Sequence, residues 1–291
     1  MPVLVPRRAF LAGVAAAAFT APARADDSTA SAEALIAVIE QAAGGRLGVA
    51  VIDSGSKRSI GHRADERFPM CSTFKVLAAG AVLKRVDAGT ERLDRRLPYG
   101  PSDLLDYAPI AKSHVGEGAM SLADACAAAI QWSDNTAANL VLATIGGPAG
   151  VTDFARSLGD VVTRLDRNEP SLNSAIPGDP RDTTSPYAMA RDLQALLLGD
   201  ALSEASRKQL EAWMVGNQTG GPRLRAGLPA DWGIGDKTGS GDHGVANTIA
   251  ILRPPGRAPL FVAVYYAESD RSMDDRNAVN RDVALVIAAA M

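Results

Sequence analysis

The feature that most constrains this chain is that its strand-like segments lie at its two ends, with a long helical stretch between them. Residues 47–53 read as a strand, Asp53-Ser54-Gly55-Ser56 as a turn, and residues 58–62 as the returning strand of a hairpin. Strand patterns come back only past Asp231, in residues 233–237, 246–253 and 260–267. Between them the helical pattern is clear over residues 72–88, 122–131, 136–145, 151–158, 185–198 and 203–215. A further helix over residues 31–43, opened by Ser31 as a cap and closed by Gly44-Gly45, precedes the first strand. A last helix runs from Asp274 to the C-terminus. The chain must therefore leave a sheet and re-enter it. Residues 26–71 and 214–291 are expected to form one α/β domain, and residues 72–213 an all-α domain. Clefts form at such boundaries. The helix at Ser72 begins where the chain leaves the sheet, so its N-terminus should open into that cleft.

The residues at this point carry chemistry. In Cys71-Ser72-Thr73-Phe74-Lys75, Ser72 and Lys75 are spaced to share one helical face, with Cβ atoms about 5–6 Å apart. Lys75 can then reach the Ser72 hydroxyl, while the helix N-terminus points unpaired N–H groups at the same spot. A partly desolvated lysine is a base able to activate a serine. Alone the pair is weak, because a capping serine beside a surface lysine is common. Ser133-Asp134-Asn135, between two helices, offers a hydroxyl to hand a proton to a leaving group and a carboxamide to bind a substrate amide; it also reads as an N-cap cluster. Lys237-Thr238-Gly239-Ser240-Gly241, at the end of the strand from Gly233, suits a substrate carboxylate, or is a plain strand-end turn. There the Ser240 N–H is able to join that of Ser72 as an oxyanion hole. Residues 164–173, continuing to Arg181-Asp182-Thr183-Thr184, form a charged loop expected to be ordered by an Arg167–Asp182 pair. Within it Glu169 is placed to act as a general base through a water, although composition alone reads as a solvated surface loop.

Composition narrows the class. A hydrophobic fraction of 47% and a charged fraction of 22% over 291 residues are those of a globular protein with ample material for a core. A net charge of −3 gives no basic surface for nucleic acid or anionic lipid. Arg7-Arg8, an apolar run from Ala9 to Phe19 and the small-x-small segment Ala23-Arg24-Ala25 have the order of an export signal over residues 1–25. The run is too short to span a bilayer. The paired arginines point to the twin-arginine route, which carries folded protein. A periplasmic or secreted monomer without a membrane anchor is expected. Cys71 and Cys126 would be permitted to pair there, but their apolar settings favour two buried free thiols. Cys71 as a nucleophile is the lesser reading, since no helical partner stands three residues on. His62, His114 and His243 are scattered without ligand spacing, so no metal and no cofactor is implied. Trp132, Trp213 and Trp232 read as core or cleft-rim residues.

Together, Ser-x-x-Lys, Ser-Asp-Asn, the Glu169 loop and Lys-Thr-Gly, in this order, make the chain resemble a class A serine β-lactamase from its first helix to its last. The resemblance implies an α+β fold: a five-stranded antiparallel sheet flanked by helices, packed on an all-helical domain with the site in the cleft between. It implies that Ser72 attacks the lactam carbonyl to form an acyl-enzyme, with Lys75 and Glu169 sharing its activation. Glu169 and Asn173 would hold the water that hydrolyses the ester. Ser133 would relay a proton to the lactam nitrogen, helped by Lys75 and Lys237. Asn135 would bind the substrate side-chain amide, and Lys237, Thr238 and Ser240 its carboxylate. Tyr107 would wall the cleft, and the Glu169-Pro170 bond would be cis. Penicillins and cephalosporins would be the substrates, and antibiotic resistance the outcome.

The chain also departs from the pattern. Where many members place an arginine beyond Lys-Thr-Gly, Ala246 stands here; Arg223, in Gly220-Gly221-Pro222-Arg223, is where other members supply that cation. Cys71 matches members that include carbapenem hydrolysers, but their bridging cysteine is replaced by Gly241. Ser240 and Gly241-Asp242 resemble branches active on oxyimino-cephalosporins. Two rival readings share the first three motifs: a D,D-peptidase of cell-wall synthesis, which has no need of the Glu169 loop, and a β-lactam sensor that keeps its adduct and needs a membrane tether.

Overall fold

The computed structural model describes residues 25–291, so the expected export signal lies, but for Ala25, outside the described residues. In chain order the elements are α1 (Ala25–Ala43), β1 (Arg46–Asp53), β2 (Ser59–His62), β3 (Phe68–Pro69), α2 (Phe74–Asp87) and β4 (Arg96–Pro98). There follow α3 (Pro109–His114), β5 (Ala119–Ser121), α4 (Leu122–Gln131), α5 (Asn135–Thr144), α6 (Pro148–Ser157), β6 (Thr183–Thr184) and α7 (Pro186–Leu197). The chain closes with α8 (Glu204–Val215), α9 (Leu224–Gly227), β7 (Gly233–Gly241), β8 (Val245–Arg253), β9 (Leu260–Ala267) and α10 (Met273–Ala290).

The expected five-stranded sheet is present, in the order β2-β1-β9-β8-β7. Every neighbouring pair is antiparallel, with Val49 opposite Val264 and Thr238 opposite Thr248. Alternate side chains go to opposite faces. Val49, Val51, Val262 and Val264 pack with Ile36 of α1 and Val283 and Ile287 of α10. Ala50, Ile249, Ile251, Phe261, Ala263 and Tyr265 belong instead to the larger core formed with the middle helices. Because both faces are covered, all eight residues of β9 are buried, which is why it reads as an unbroken apolar run. The same holds for α2, buried from Phe74 to Leu83 among helices on every side.

Three boundaries differ from the sequence reading. α1 does not start at Ser31, which lies inside it; the extra N-terminal turn is held by Arg58 of the hairpin, which donates to Ser28 Oγ and Thr29 Oγ1 at 2.5 and 2.6 Å. Ser72 lies in a single 3₁₀ turn, Cys71–Thr73, ahead of α2. β7 continues four residues past Lys237 through glycine-rich sequence of low strand propensity, because the ladder with β8 runs on to Gly241–Val245. Thr238 and Ser240 are therefore strand residues on the edge of the sheet, not part of a turn.

Candidate active site

The turn carrying Ser72 is fixed from several sides. Thr73 donates from N and Oγ1 to the Met70 carbonyl, at 3.3 and 2.9 Å. Asn247 Nδ2, reaching across from β8, donates to the carbonyls of Pro69 and Met70 at 2.8 and 3.2 Å. Cys71 is held at φ +46°, in the left-handed region. β7 passes so close that a Cβ on Gly239 would lie 2.7 Å from the Met70 oxygen. Only glycine admits that approach.

Lys75 follows Ser72 into the interior and is 1% exposed. Its Nζ lies 2.9 Å from Glu169 Oε1, and both side chains are fully buried. The ammonium also donates to the Ser133 carbonyl and to Asn135 Oδ1, each at 2.8 Å, and to Ser133 Oγ at 3.4 Å. Burial pulls its pKa below the ordinary lysine range, against the opposing pull of the Glu169 carboxylate. Ser72 Oγ donates to that same Glu169 oxygen at 3.3 Å. Serine, lysine and glutamate thus converge on one carboxylate oxygen.

Ser133 is held at φ +57°, which aims its hydroxyl at the lysines rather than along the chain. Lys237 Nζ donates to Ser133 Oγ at 3.0 Å and to the Thr238 carbonyl at 2.7 Å. Burial first, then the charge of Lys75, holds Lys237 well below the usual lysine pKa. Next in sequence, Asp134 is indeed an N-cap: it accepts from Ala137 N at 2.8 Å, and from Ile110 N and Ala111 N at 2.9 and 2.8 Å. The motif is both cap and chemistry, with its central residue clamping α3 and α5 while its neighbours face Lys75.

The loop bearing Glu169 is ordered by buried polar anchors. Arg167 Nε donates to Asp182 Oδ2 at 2.5 Å, as the charge pattern implied, and the backbone N–H groups of Asp166 and Arg167 donate to Asp182 Oδ1. Asn139, one turn beyond Asn135 on α5, donates to the Glu169 carbonyl at 2.9 Å and accepts from Glu169 N at 3.0 Å. The sequence reading passed over Asn139, although its i+4 spacing from Asn135 was a usable signal. Glu169-Pro170 is cis. Asn173 Nδ2 donates to Glu169 Oε2 at 2.5 Å, and its buried Oδ1 has no protein partner.

The opposite wall comes from β7. Arg223, 5% exposed, donates from Nη2 to Ser240 Oγ at 2.7 Å, from Nη1 to the carbonyls of Gly239 and Asn247, and from Nε to Asn277 Oδ1. Burial lowers its pKa to about 10, so it stays a cation at neutral pH. Ser72, Ser133, Asn135, Asn173, Arg223, Thr238 and Ser240 line one open cleft of about 350 Å³, with Thr219 and the half-exposed Tyr107 completing its rim. Thr219 gave no signal in the sequence.

Cys71 and Cys126 are both free and buried, and burial pushes both thiols up, which leaves Cys71 an inert packing residue. His62 bonds Glu40 and His114 bonds Glu117, both away from the cleft. Trp213 is buried, whereas Trp132 is 40% exposed. Among the described residues no group of three or more acidic, histidine or cysteine side chains is placed to hold a metal, and no helix is long and apolar enough to cross a membrane.

Comparison with known proteins agrees with this geometry. The family model described as the β-lactamase enzyme family matches residues 30–291. The chain is 50% identical over 252 residues to the β-lactamase CTX-M-8 of Citrobacter amalonaticus, covering 87% of this chain and 86% of that one. It is 46% identical over 297 residues to the β-lactamase AST-1 of Nocardia asteroides, covering 98% and 96%. The solved structure of an ancestral class A β-lactamase superposes with a TM-score of 0.88 at 60% identity, covering 89% of this chain and all of that one. With the motifs, the fold and the relatives in agreement, the chain belongs to the β-lactamase enzyme family, as a class A serine β-lactamase.

Proposed function

We propose that this cleft hydrolyses the β-lactam ring of penicillins and cephalosporins through an ester on Ser72, and so confers resistance to them. The observation that carries the reading is the convergence of Ser72 Oγ and Lys75 Nζ on Glu169 Oε1, at 3.3 and 2.9 Å, with the Lys75 and Glu169 side chains fully buried beneath the cleft. Lys75 and Glu169 together take the Ser72 proton as Oγ attacks the lactam carbonyl, whose oxygen is received by the N–H groups of Ser72 and Ser240. The C–N bond breaks, and Ser133, fed by Lys75 and Lys237, gives the departing nitrogen its proton. Glu169 then takes a proton from a water that attacks the ester carbonyl, the C–Oγ bond breaks and Ser72 Oγ takes that proton back, while the buried Asn173 Oδ1 suits the water's second hydrogen. Asn135 accepts or donates to the substrate side-chain amide. The carboxylate rests on Thr238, Ser240 and Lys237, with Arg223 behind them as the cation, and Tyr107 walls the entrance.

The organisation proposed around this site is an α/β unit of residues 26–71 and 214–291 and a helical unit of residues 72–213. The mature protein is a monomer, exported to the periplasm or medium behind the signal in residues 1–25. The test is hydrolysis of a chromogenic cephalosporin by the wild type and by Glu169→Ala, with mass spectrometry of the protein. Rapid wild-type turnover, with the variant trapped as an acyl adduct on Ser72, is the expected result. A wild type that acylates once and stalls would mark a peptidase or a sensor instead.

A further inference from the structure

Thr219 lies on the cleft wall just after α8, half-buried, and nothing in the mechanism above uses it. Its Oγ1 is 2.5 Å from Thr238 Oγ1 and 2.8 Å from Asn217 Oδ1, to which its backbone N–H also donates at 3.0 Å. Asn217 in turn donates from Nδ2 to Asp236 Oδ2 at 2.9 Å, and Asp236 is paired with Arg225 at 2.6 Å. From this chain we propose that Thr219 is a positioning residue: its hydroxyl sets which way the Thr238 hydroxyl points, and through it how tightly the cleft holds a substrate carboxylate. The inference rests on the hydrolase reading above.

The direction of each hydrogen bond follows from donor and acceptor counts. The Thr219 backbone N–H can only donate, so the Asn217 atom it meets is Oδ1, and the Asn217 amide N–H is the one turned to Asp236. That leaves Asn217 Oδ1 facing Thr219, which gives it both an N–H and the hydroxyl proton. With its own proton committed, Thr219 Oγ1 can only accept at the 2.5 Å contact, so Thr238 donates to Thr219. With that hydrogen bond made, Thr238 shows lone pairs, not a proton, to an incoming ligand. A carboxylate accepts only, and binding one requires the Thr238 proton to swing toward it. Thr219 makes this cheap, because its own proton can leave Asn217 Oδ1 and turn to the Thr238 oxygen. Asn217 Oδ1 keeps the Thr219 N–H throughout. No buried group loses its last partner in the exchange, which would otherwise carry a full desolvation penalty. A neutral ester also only accepts, but more weakly than an anion, so it draws the Thr238 proton less.

The test compares a chromogenic cephalosporin as the free acid with its methyl ester, on the wild type, Thr219→Val and Thr219→Ser. Thr219→Val removes the acceptor that holds the Thr238 proton away from the ligand, so it should lower KM for the acid, by about threefold, with kcat little changed. The ester's kcat/KM should move less than about twofold, and Thr219→Ser should restore the acid's KM. If valine crowds the wall, Thr219→Ala gives the same comparison without the extra methyl. Equal changes on acid and ester, a higher KM for the acid, or a serine variant that does not return to the wild-type value, would make Thr219 merely structural and overturn the inference. Normal wild-type turnover with an unmoved KM in the variants overturns this inference alone. A wild type that does not turn over the acid overturns the hydrolase reading and this inference with it.

Discussion

The two walls of the cleft hold buried charge in opposite ways. On the helical wall, Lys75 and Glu169 neutralise one another at 2.9 Å, and each charge is the other's main support. On the strand wall, the Arg223 guanidinium is bound by two backbone carbonyls, a carboxamide and a hydroxyl, with no carboxylate in contact. A cation neutralised by dipoles alone keeps its pull on an incoming anion, whereas a cation already paired is kept for moving protons. The contrast separates chemistry from binding: damage to the Lys75–Glu169 pair should appear in kcat, damage to Arg223 in KM.

The largest break is Lys75→Met. Acylation should slow by about 10³-fold, and the unpaired Glu169 should cost about 3 kcal/mol in urea unfolding. Adding Glu169→Gln to that variant should recover stability but not turnover; if stability is not recovered, the two charges are not each other's support. Arg223→Ala comes next, with an expected rise of about tenfold in KM for penicillins and a smaller change in kcat. An unchanged KM would remove Arg223 from carboxylate binding. Asn139→Ala strips the Glu169 backbone of both partners and should cost about 2 kcal/mol by thermal or urea unfolding, slowing deacylation more than acylation.

The smallest effect lies outside both walls. Burial, then the neighbouring Asp160 charge, pushes Asp192 up to about 9, with Arg191 and Arg156 pulling weakly the other way. The Asp192 Oδ2 has no hydrogen-bond partner as a carboxylate. A folded pKa above the unfolded one means that stability from this group is complete below about pH 4 and is lost as pH rises toward 9. Asp192→Asn should therefore raise Tm at pH 8, by about 3 °C or more, and give no gain at pH 4. A gain equal at both pH values would show that the proton on Asp192 is not what matters.

Much of this was legible in the sequence, for reasons that can be named. Ser72, Lys75, Ser133, Asn135, Glu169 and Lys237 sit in short motifs whose chemistry is local, and the sheet follows from apolar runs covered on both faces. What stayed hidden depends on partners far along the chain. The glycine-rich end of β7 is a strand only because β8 pairs with it, and the loop at Glu169, whose Arg167–Asp182 pair the charge pattern does suggest, is also held by Asn139 from a helix that the loop's own sequence does not point to. Thr219 is an ordinary loop threonine in sequence, and its place beside Thr238 depends on how the end of α8 meets the sheet. Neither composition nor periodicity carries that information.

The pairing of β1 with β9 also has a meaning in time. Arg46 and Glu268, bonded across the edge of the sheet, are 222 positions apart. At a synthesis rate of roughly 5–20 residues per second, β1 would leave the ribosome roughly 10–45 seconds before its partner strand exists. During that interval the first hairpin has no β9 to pair with and no α10 to cover it, and contacts of such long range are slow to close. The sheet is therefore a late event, completed only when the last part of the chain is released. If the paired arginines at positions 7 and 8 do address the chain to a route for folded cargo, this late closure is the step export must wait for.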